Sequence, residues 1–305
     1  MDHLAALLDG PHARGAFVLR VVLDPPWSMR IQDETPLTLL AMVRGEAWIV
    51  RDGLTRVRPG EVAVVRGPEP YVVADKPDTP PQIVINPGEE CTTLDGEALY
   101  QSMDLGVRTW GTNFDGSTVM IVGTYLMEGE VSKRLLRALP PLIVQPGDTL
   151  IELLGQEVVK DEPGQEAVLD RMLDLMLITT LRKWFATTRE APGWYRALGD
   201  PVVGRAMRIM QRNPAHPWTV ASLAAEVGVS RASLARRFTE LVGEPPMAFL
   251  TGWRLALAAD LLREPDATVT SVARKVGYGS PFALSAAFKR VHGVSPQEHK
   301  VGAGR

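Results

Sequence analysis

Ala224-Ala225-Glu226-Val227-Gly228-Val229-Ser230, followed by Leu234 and Phe238, is written a second time as Ala273-Arg274-Lys275-Val276-Gly277-Tyr278-Gly279, followed by Leu284 and Phe288. Ala, Val and Gly recur at an offset of 49 residues and the Leu and Phe at 50, so one residue is added just after the second turn. A short helix ending in Val-Gly, then a cap, then a helix with a Leu-x-x-x-Phe ridge is how a helix-turn-helix reads in sequence. Two tandem copies between Thr219 and Lys300 are far more specific than one.

Around the repeat the punctuation is consistent. Pro201 to Gln211 reads as a scaffold helix ended by Asn213-Pro214. Thr219 is a good N-cap for a helix carrying Val220, Leu223, Ala224 and Val227, and Gly228 takes the positive φ of the turn at little cost. Ser230 caps the next helix, Arg231 to Val242, whose Leu234, Phe238 and Leu241 face inward. Arg231, Ser233, Arg236 and Arg237 are left to point outward. Pro245-Pro246 opens a helix from Met247 to Arg263, a rod of roughly 25 Å at 1.5 Å per residue. Ser280 caps the second recognition helix with Pro281 in its first turn, a favoured pairing. That helix is expected to carry Phe282, Leu284, Phe288 and Val291 inside and Lys289 and Arg290 near its end. Ser295-Pro296-Gln297-Glu298 is a capping box.

Charge supports a nucleic-acid partner. The net charge is −3, yet residues 201–305 hold 14 basic and 7 acidic side chains, leaving 19 and 29 to residues 1–200. A basic module on an acidic body fits phosphate binding by the module. Arginines behind a capped helix start can meet phosphate at the helix N-terminus or read guanine bidentately. A solvated basic face is the default for such a helix in isolation; the second copy of the motif reverses that preference.

A chain of 305 residues, 45% hydrophobic and 23% charged, suggests about two globular domains. No apolar run approaches the roughly 20 residues of a membrane span, and the start lacks the basic n-region of a secretion signal. The lone Cys91 excludes an internal disulfide framework and a Cys-cluster zinc site. These features point to a reducing, cytoplasmic setting without membrane attachment.

Residues 1–14 read as a short amphipathic helix. From Gly15 to about Tyr125 short β-rich runs alternate with turns such as Asp52-Gly53 and Pro59-Gly60, which argues for a sandwich or small barrel. Val43-Arg44-Gly45-Glu46-Ala47-Trp48 and Arg58-Pro59-Gly60-Glu61-Val62 have the rhythm of a cupin-type jelly roll. Residues 131–187 read as helical. Within them Leu169, Met172, Leu173, Met176 and Leu177 form a stripe at spacings of three and four. Periodicity leaves open whether it packs within the subunit or makes a helix–helix dimer interface.

The segment Val272 to Tyr278, then Phe288-Lys289-Arg290 and Gly293-Val294-Ser295-Pro296, closely resembles the signature of AraC/XylS-type transcription regulators. Gly243-Glu244-Pro245-Pro246-Met247 and Leu250-Thr251-Gly252-Trp253-Arg254 resemble its linker helix. The N-terminal half is similar to the cupin-like sensory domain of one branch of that family. The resemblance implies an effector-responsive, dimeric, sequence-specific binder of double-stranded DNA that works with RNA polymerase. Carried over by position, Ser230, Ala232 and Arg236 of the first recognition helix, and Ser280, Pro281, Phe282 and Ala286 of the second, face DNA. Metal-binding cupins place His where Leu40 and Tyr71 align, and all five histidines lie outside the barrel, so a metal and cupin enzyme chemistry are not expected. No cofactor is implied. An effector pocket lined by Trp48, Tyr71, Trp110 and Tyr125 is one reading; rings that simply fill the core are the other. Cys91 is a redox sensor only if exposed and of low pKa.

The expected fold is α+β and multidomain. A cupin-like β jelly-roll domain with a helical C-terminal part covers residues 1–190, a linker 191–200, and an all-α DNA-binding domain 201–303. The two helix-turn-helix motifs lie at about 219–242 and 268–292, joined by the helix 247–263. The competing classes are a metal-dependent cupin enzyme with a nucleic-acid module and a nonspecific architectural DNA binder.

Overall fold

The computed structural model describes residues 18–125, 129–188 and 191–302. The helix expected over residues 1–14 lies outside them. The chain divides into two units; among the described residues one spans 18–125 and 139–188, the other 129–138 and 191–302.

The first unit is a sandwich of two six-stranded sheets. One sheet contains β1 (Val18–Leu23), β3 (Leu37–Arg44), β6 (Glu61–Arg66), β10 (Thr109–Gly111), β11 (Thr118–Tyr125) and β12 (Leu142–Pro146), in the order β10-β1-β11-β3-β6-β12. The other contains β2 (Ser28–Ile31), β4 (Ala47–Val50), β5 (Leu54–Val57), β7 (Tyr71–Ala74), β8 (Ile83–Asn86) and β9 (Glu90–Thr93), in the order β5-β4-β7-β2-β8-β9. Pairing is antiparallel except at β1–β10 and β2–β8. Inward residues from both sheets, among them Leu23, Trp27, Leu40, Met42, Ile49, Val65, Val73 and Met120, form one core.

β11 shows why the first sheet is apolar on both faces. Side chains alternate along a strand. Met120, Val122 and Thr124 face the inside of the sandwich. Gly123 and Tyr125 instead meet the helix α3 (Gln165–Thr187), which follows α1 (Glu130–Ala138) and α2 (Leu150–Glu157). A Cβ at Gly123 would lie 2.8 Å from Leu173 Cδ2, so glycine permits the close approach of helix to sheet. The fully buried Tyr125 hydroxyl donates to the Leu173 carbonyl at 2.8 Å.

Two expectations are corrected here. Residues 131–187 are not helical throughout, because Leu142–Pro146 pairs antiparallel with β6. Pro140-Pro141 ends α1, and the Leu-Ile-Val run behind it completes a sheet edge. The stripe on α3 is also already occupied. Leu169, Leu173, Met176 and Leu177 are each at most 2% exposed within one subunit, and Met172 is half-buried. The even spacing recorded a packing face, and the sheet of the same chain covers it.

The second unit is helical: α4 (Gly193–Leu198), α5 (Val203–Arg212), α6 (Val220–Glu226), α7 (Arg231–Val242), α8 (Pro246–Leu262), α9 (Val269–Lys275), α10 (Pro281–His292) and α11 (Pro296–Gly302), together with α1. Residues 191–200 are therefore not a linker. α4 packs against α7, its Ala197 is fully buried, and a Cβ at Gly193 would lie 2.5 Å from the Leu241 carbonyl oxygen. Asp200 caps α5 by accepting from the Val202 and Val203 amides at 3.0 and 2.9 Å. Its other carboxylate oxygen accepts from Arg237 Nε and Nη2 at 2.9 and 2.5 Å. Burial pushes the Asp200 carboxyl up, but the amide hydrogen bonds and Arg237 outweigh it and hold the pKa below its ordinary 3.8. No helix among the described residues is long and apolar enough to cross a membrane.

Tyr125→Phe removes a buried hydrogen bond and is expected to cost about 1 kcal/mol, read as a lower urea midpoint at unchanged slope. A carboxylate with a depressed folded pKa stabilises above its unfolded pKa, and that contribution disappears as pH falls through the folded value. Asp200→Asn should accordingly flatten the decline in stability below about pH 4; an acid limb identical to that of the parent protein would count against this role.

Candidate nucleic-acid interface and the N-terminal cavity

The two helix-turn-helix motifs are built alike. Thr219 and Thr268 each cap the first helix in a capping box with the serine three residues on. Gly228 and Gly277 take φ of +73° and +83° at the turns. Ser230 Oγ accepts from the Ser233 amide and Ser280 Oγ from the Ala283 amide, both at 3.2 Å, and start the second helices α7 and α10. The ridges bury fully: Leu234 and Phe238 in one core, Leu284 and Phe288 in the other.

α8 contributes to both cores. Phe249 and Leu250 enter the first cluster, and Leu255, Ala258, Ala259 and Leu262 the second. Arg254 at its middle donates to the carbonyls of Pro214 and His216, each at 2.7 Å. The same loop meets the second turn, where a Cβ at Gly277 would lie 2.7 Å from Ala215 Cα. The opposite side of α8 receives α1. Asp260 accepts from the Glu130 and Val131 amides at 2.6 and 3.1 Å, filling the orphan donors at the start of that helix. The buried Arg134 guanidinium lies over Gly252, where a Cβ would come within 3.2 Å of Nη2.

The outward side chains differ between the motifs. On α7, Arg231, Ala232 and Arg236 are exposed, and Ser233 is half-buried. The Arg236 side chain is 71% exposed, with Nη1 held 3.1 Å from Glu240 Oε1 one turn on. Such an exposed i,i+4 pair is weak enough for a stronger anion to replace it. Arg237 does not point outward with them; its guanidinium is engaged by Asp200 and braces α7 against the start of α5. On α10 the correction runs the other way. Phe282 and Val291, which the helical period puts inside, are 84% and 58% exposed, and for Phe282 the exposure fits the outward position that the family resemblance implies. Ala286, Lys289 and Arg290 are also exposed, with Pro281 half-buried. Arg274 and Lys275, exposed at the end of α9, were not singled out from the sequence. Aligning the two motif copies, which sets them against Ala225 and Glu226, would have found them.

The N-terminal unit holds a cavity of about 270 Å³ inside the sandwich. Its walls are chiefly aliphatic, with Leu19, Val21, Met29, Ile31, Val73, Ile85, Met120 and Val122 among them. Asp33, Glu34, Thr35, Thr38 and Thr124 supply the polar part. Tyr71 and Trp110 line it as expected, whereas Trp48 and Tyr125 do not. Trp48 alternates with the core residues Ala47 and Ile49 and so faces away, under the Arg56 guanidinium 6.0 Å from its ring centroid. Burial pushes the Tyr71 phenol well above its ordinary value. Leu40, Tyr71 and Cys91 also line this space. Among the described residues no group of three or more His, Cys, Asp or Glu side chains is arranged to hold a metal ion.

Comparison with known proteins agrees with this architecture. Residues 2–186 match the family model described as Cupin, and residues 223–300 the one described as Helix-turn-helix domain. A Streptomyces lividans protein bearing the name AraC-like transcription regulator is 31% identical over 98% of both chains. One of the same name from Streptomyces antibioticus is 36% identical over 69% of this chain and 72% of its own. Among solved structures, the DNA-binding domain of AdpA in complex with a target DNA is 32% identical over 34% of this chain and 93% of that one, at a TM-score of 0.33. By its identity to the two Streptomyces regulators, the chain belongs to the AraC family of transcription regulators.

Proposed function

We propose that α7 enters the major groove and reads bases through Arg236, with Arg231 and the helix N-terminus on the phosphates. The observation that carries this reading is the exposure of Arg236 on a capped helix whose opposite ridge is wholly buried. Arg274, Lys275, Lys289 and Arg290 in the second motif serve as phosphate contacts, since they cluster at helix C-termini away from the first turn that meets base edges. A sequence-specific regulator fits the chain better than an architectural binder, because only part of this surface is cationic. It also fits better than a cupin enzyme, because an isobutyl group and a phenol stand at the aligned metal-ligand positions. A cytoplasmic location and a productive encounter with RNA polymerase follow from that role.

Arg236→Ala should weaken binding to a site selected from random duplexes by about 1–3 kcal/mol while sparing random DNA. Equal losses on both would leave Arg236 a phosphate contact. Failure of the intact chain to select any defined site would overturn the regulator reading itself.

The cavity is the natural place for a small apolar effector, with Tyr71 and the threonines available for one or two hydrogen bonds. The chain offers a route for its signal. β11 lines the cavity with Met120, Val122 and Thr124, and five residues after its end the same chain enters α1, which Asp260 holds on α8. We further propose a homodimer formed through the N-terminal unit. The large apolar residues on α3 that remain exposed, Val168 and Leu175, support this, since the inner stripe is already covered. Leu175→Glu is expected to halve the mass seen by light scattering at micromolar concentration; an unchanged mass would move the interface elsewhere.

A further inference from the structure

Phe282 is 84% exposed in the first turn of α10. A single exposed apolar residue is ordinary on a protein surface. Its position is what makes this one informative. Residues 282, 286, 289 and 290 fall on the outward side of α10, while Leu284, Ala287 and Phe288 are buried on the other. That outward stripe runs from a phenyl ring, through the methyl of Ala286, to two cations in the last turn. In its first two turns it presents few hydrogen-bonding groups: Pro281 has no amide hydrogen, the Ser280 hydroxyl oxygen accepts from the Ala283 amide, and the half-buried Ser285 is the one polar side chain within those turns.

In a helix-turn-helix the first residues of the second helix meet base edges, and the rest of the motif holds the backbone. Of the groups displayed in the major groove, the C5 methyl of thymine is the one an apolar side chain recognises. We infer that Phe282 is a specificity-determining residue that packs on a thymine methyl in the part of the operator covered by the second motif, with Lys289 and Arg290 holding the neighbouring phosphates. This inference rests on the reading of the chain as a sequence-specific regulator and adds what α10 reads. The two motifs then recognise different chemistry: guanine acceptors through Arg236, a thymine methyl through Phe282.

The test uses the intact chain and the operator recovered by selection from random duplexes. Each thymine is replaced in turn by deoxyuridine, which deletes the methyl and keeps every hydrogen-bonding group. One or two such replacements, all on the side of the operator away from the Arg236-dependent bases, are expected to weaken the parent protein about fourfold, the value of one buried methyl. Phe282→Ala should bind the unmodified operator more weakly and be indifferent to the same replacements; Phe282→Leu should keep part of the discrimination. Because the ring is on the surface, both variants should melt as the parent does. Uracil replacements that affect the parent and Phe282→Ala alike, or no uracil effect in the parent, would overturn the inference. So would unchanged operator affinity of Phe282→Ala with loss of reporter transcription, which would turn the ring towards a protein partner instead. If no site is selected at all, the regulator reading fails first and takes this inference with it.

Discussion

The structure of the C-terminal unit depends on one helix that belongs to two cores. α8 puts Phe249 and Leu250 into the core of the first helix-turn-helix and Leu255, Ala258, Ala259 and Leu262 into that of the second. A helix is rigid at this length, so burial at both ends fixes the two motifs on a common rod. Each fully buried Phe or Leu stabilises by about 1.5–3 kcal/mol, which makes the shared burial the dominant constraint on their separation. Arg254 and the loop before α6 supply the polar complement, with Gly277 fitting against Ala215. Asp260 extends the same rod to α1, a helix inserted between two strands of the N-terminal sandwich.

Within this symmetric scaffold the chemistry is lopsided. Arg231 and Arg236 are exposed on α7, Arg236 held only by its surface pair with Glu240, and Arg237, next to it in sequence, is taken by Asp200. On α10 the first turns carry a ring and methyl groups, and the cations sit at the far end. The turns differ as well. Gly228 has open space around its α-carbon and requires glycine for its positive φ, whereas Gly277 requires it for φ and for the backbone of Ala215. A similar substitution of role holds in the N-terminal unit. Leu40 and Tyr71, at positions where a metal-binding cupin would place histidine, line an apolar cavity.

Much of this was legible in the chain. The caps at Thr219, Ser230, Ser280 and Ser295, the buried ridges and the pairs of strands joined by short turns follow from local rules, and they appear where those rules put them. The candidate site was legible in part. Exposure of Arg236, Lys289 and Arg290 matches the helical period, but for Phe282 the period and the family resemblance disagree: an aromatic among other apolar positions looks like packing, whereas the resemblance turns it outward, and the ring is exposed. The signal against packing was its place one residue after Pro281, in a first turn that has no preceding turn to lean on.

The sequence by itself determined most of the helices and strands, with the strand Leu142–Pro146 and the helix Gly193–Leu198 as exceptions, and that two helix-turn-helix motifs stand in tandem and which family the chain resembles. Those properties depend on residues close together in the chain or on patterns that repeat. Only the tertiary structure decided what covers what. It turned Arg237 onto Asp200, closed the α3 stripe against β11 through Gly123, drew residues 193–198 into the core of the first helix-turn-helix, and carried α1 onto α8. Each of these pairs groups between 37 and 130 positions apart. A side chain's own periodicity says that it will be buried; which surface buries it depends on the path of the rest of the chain.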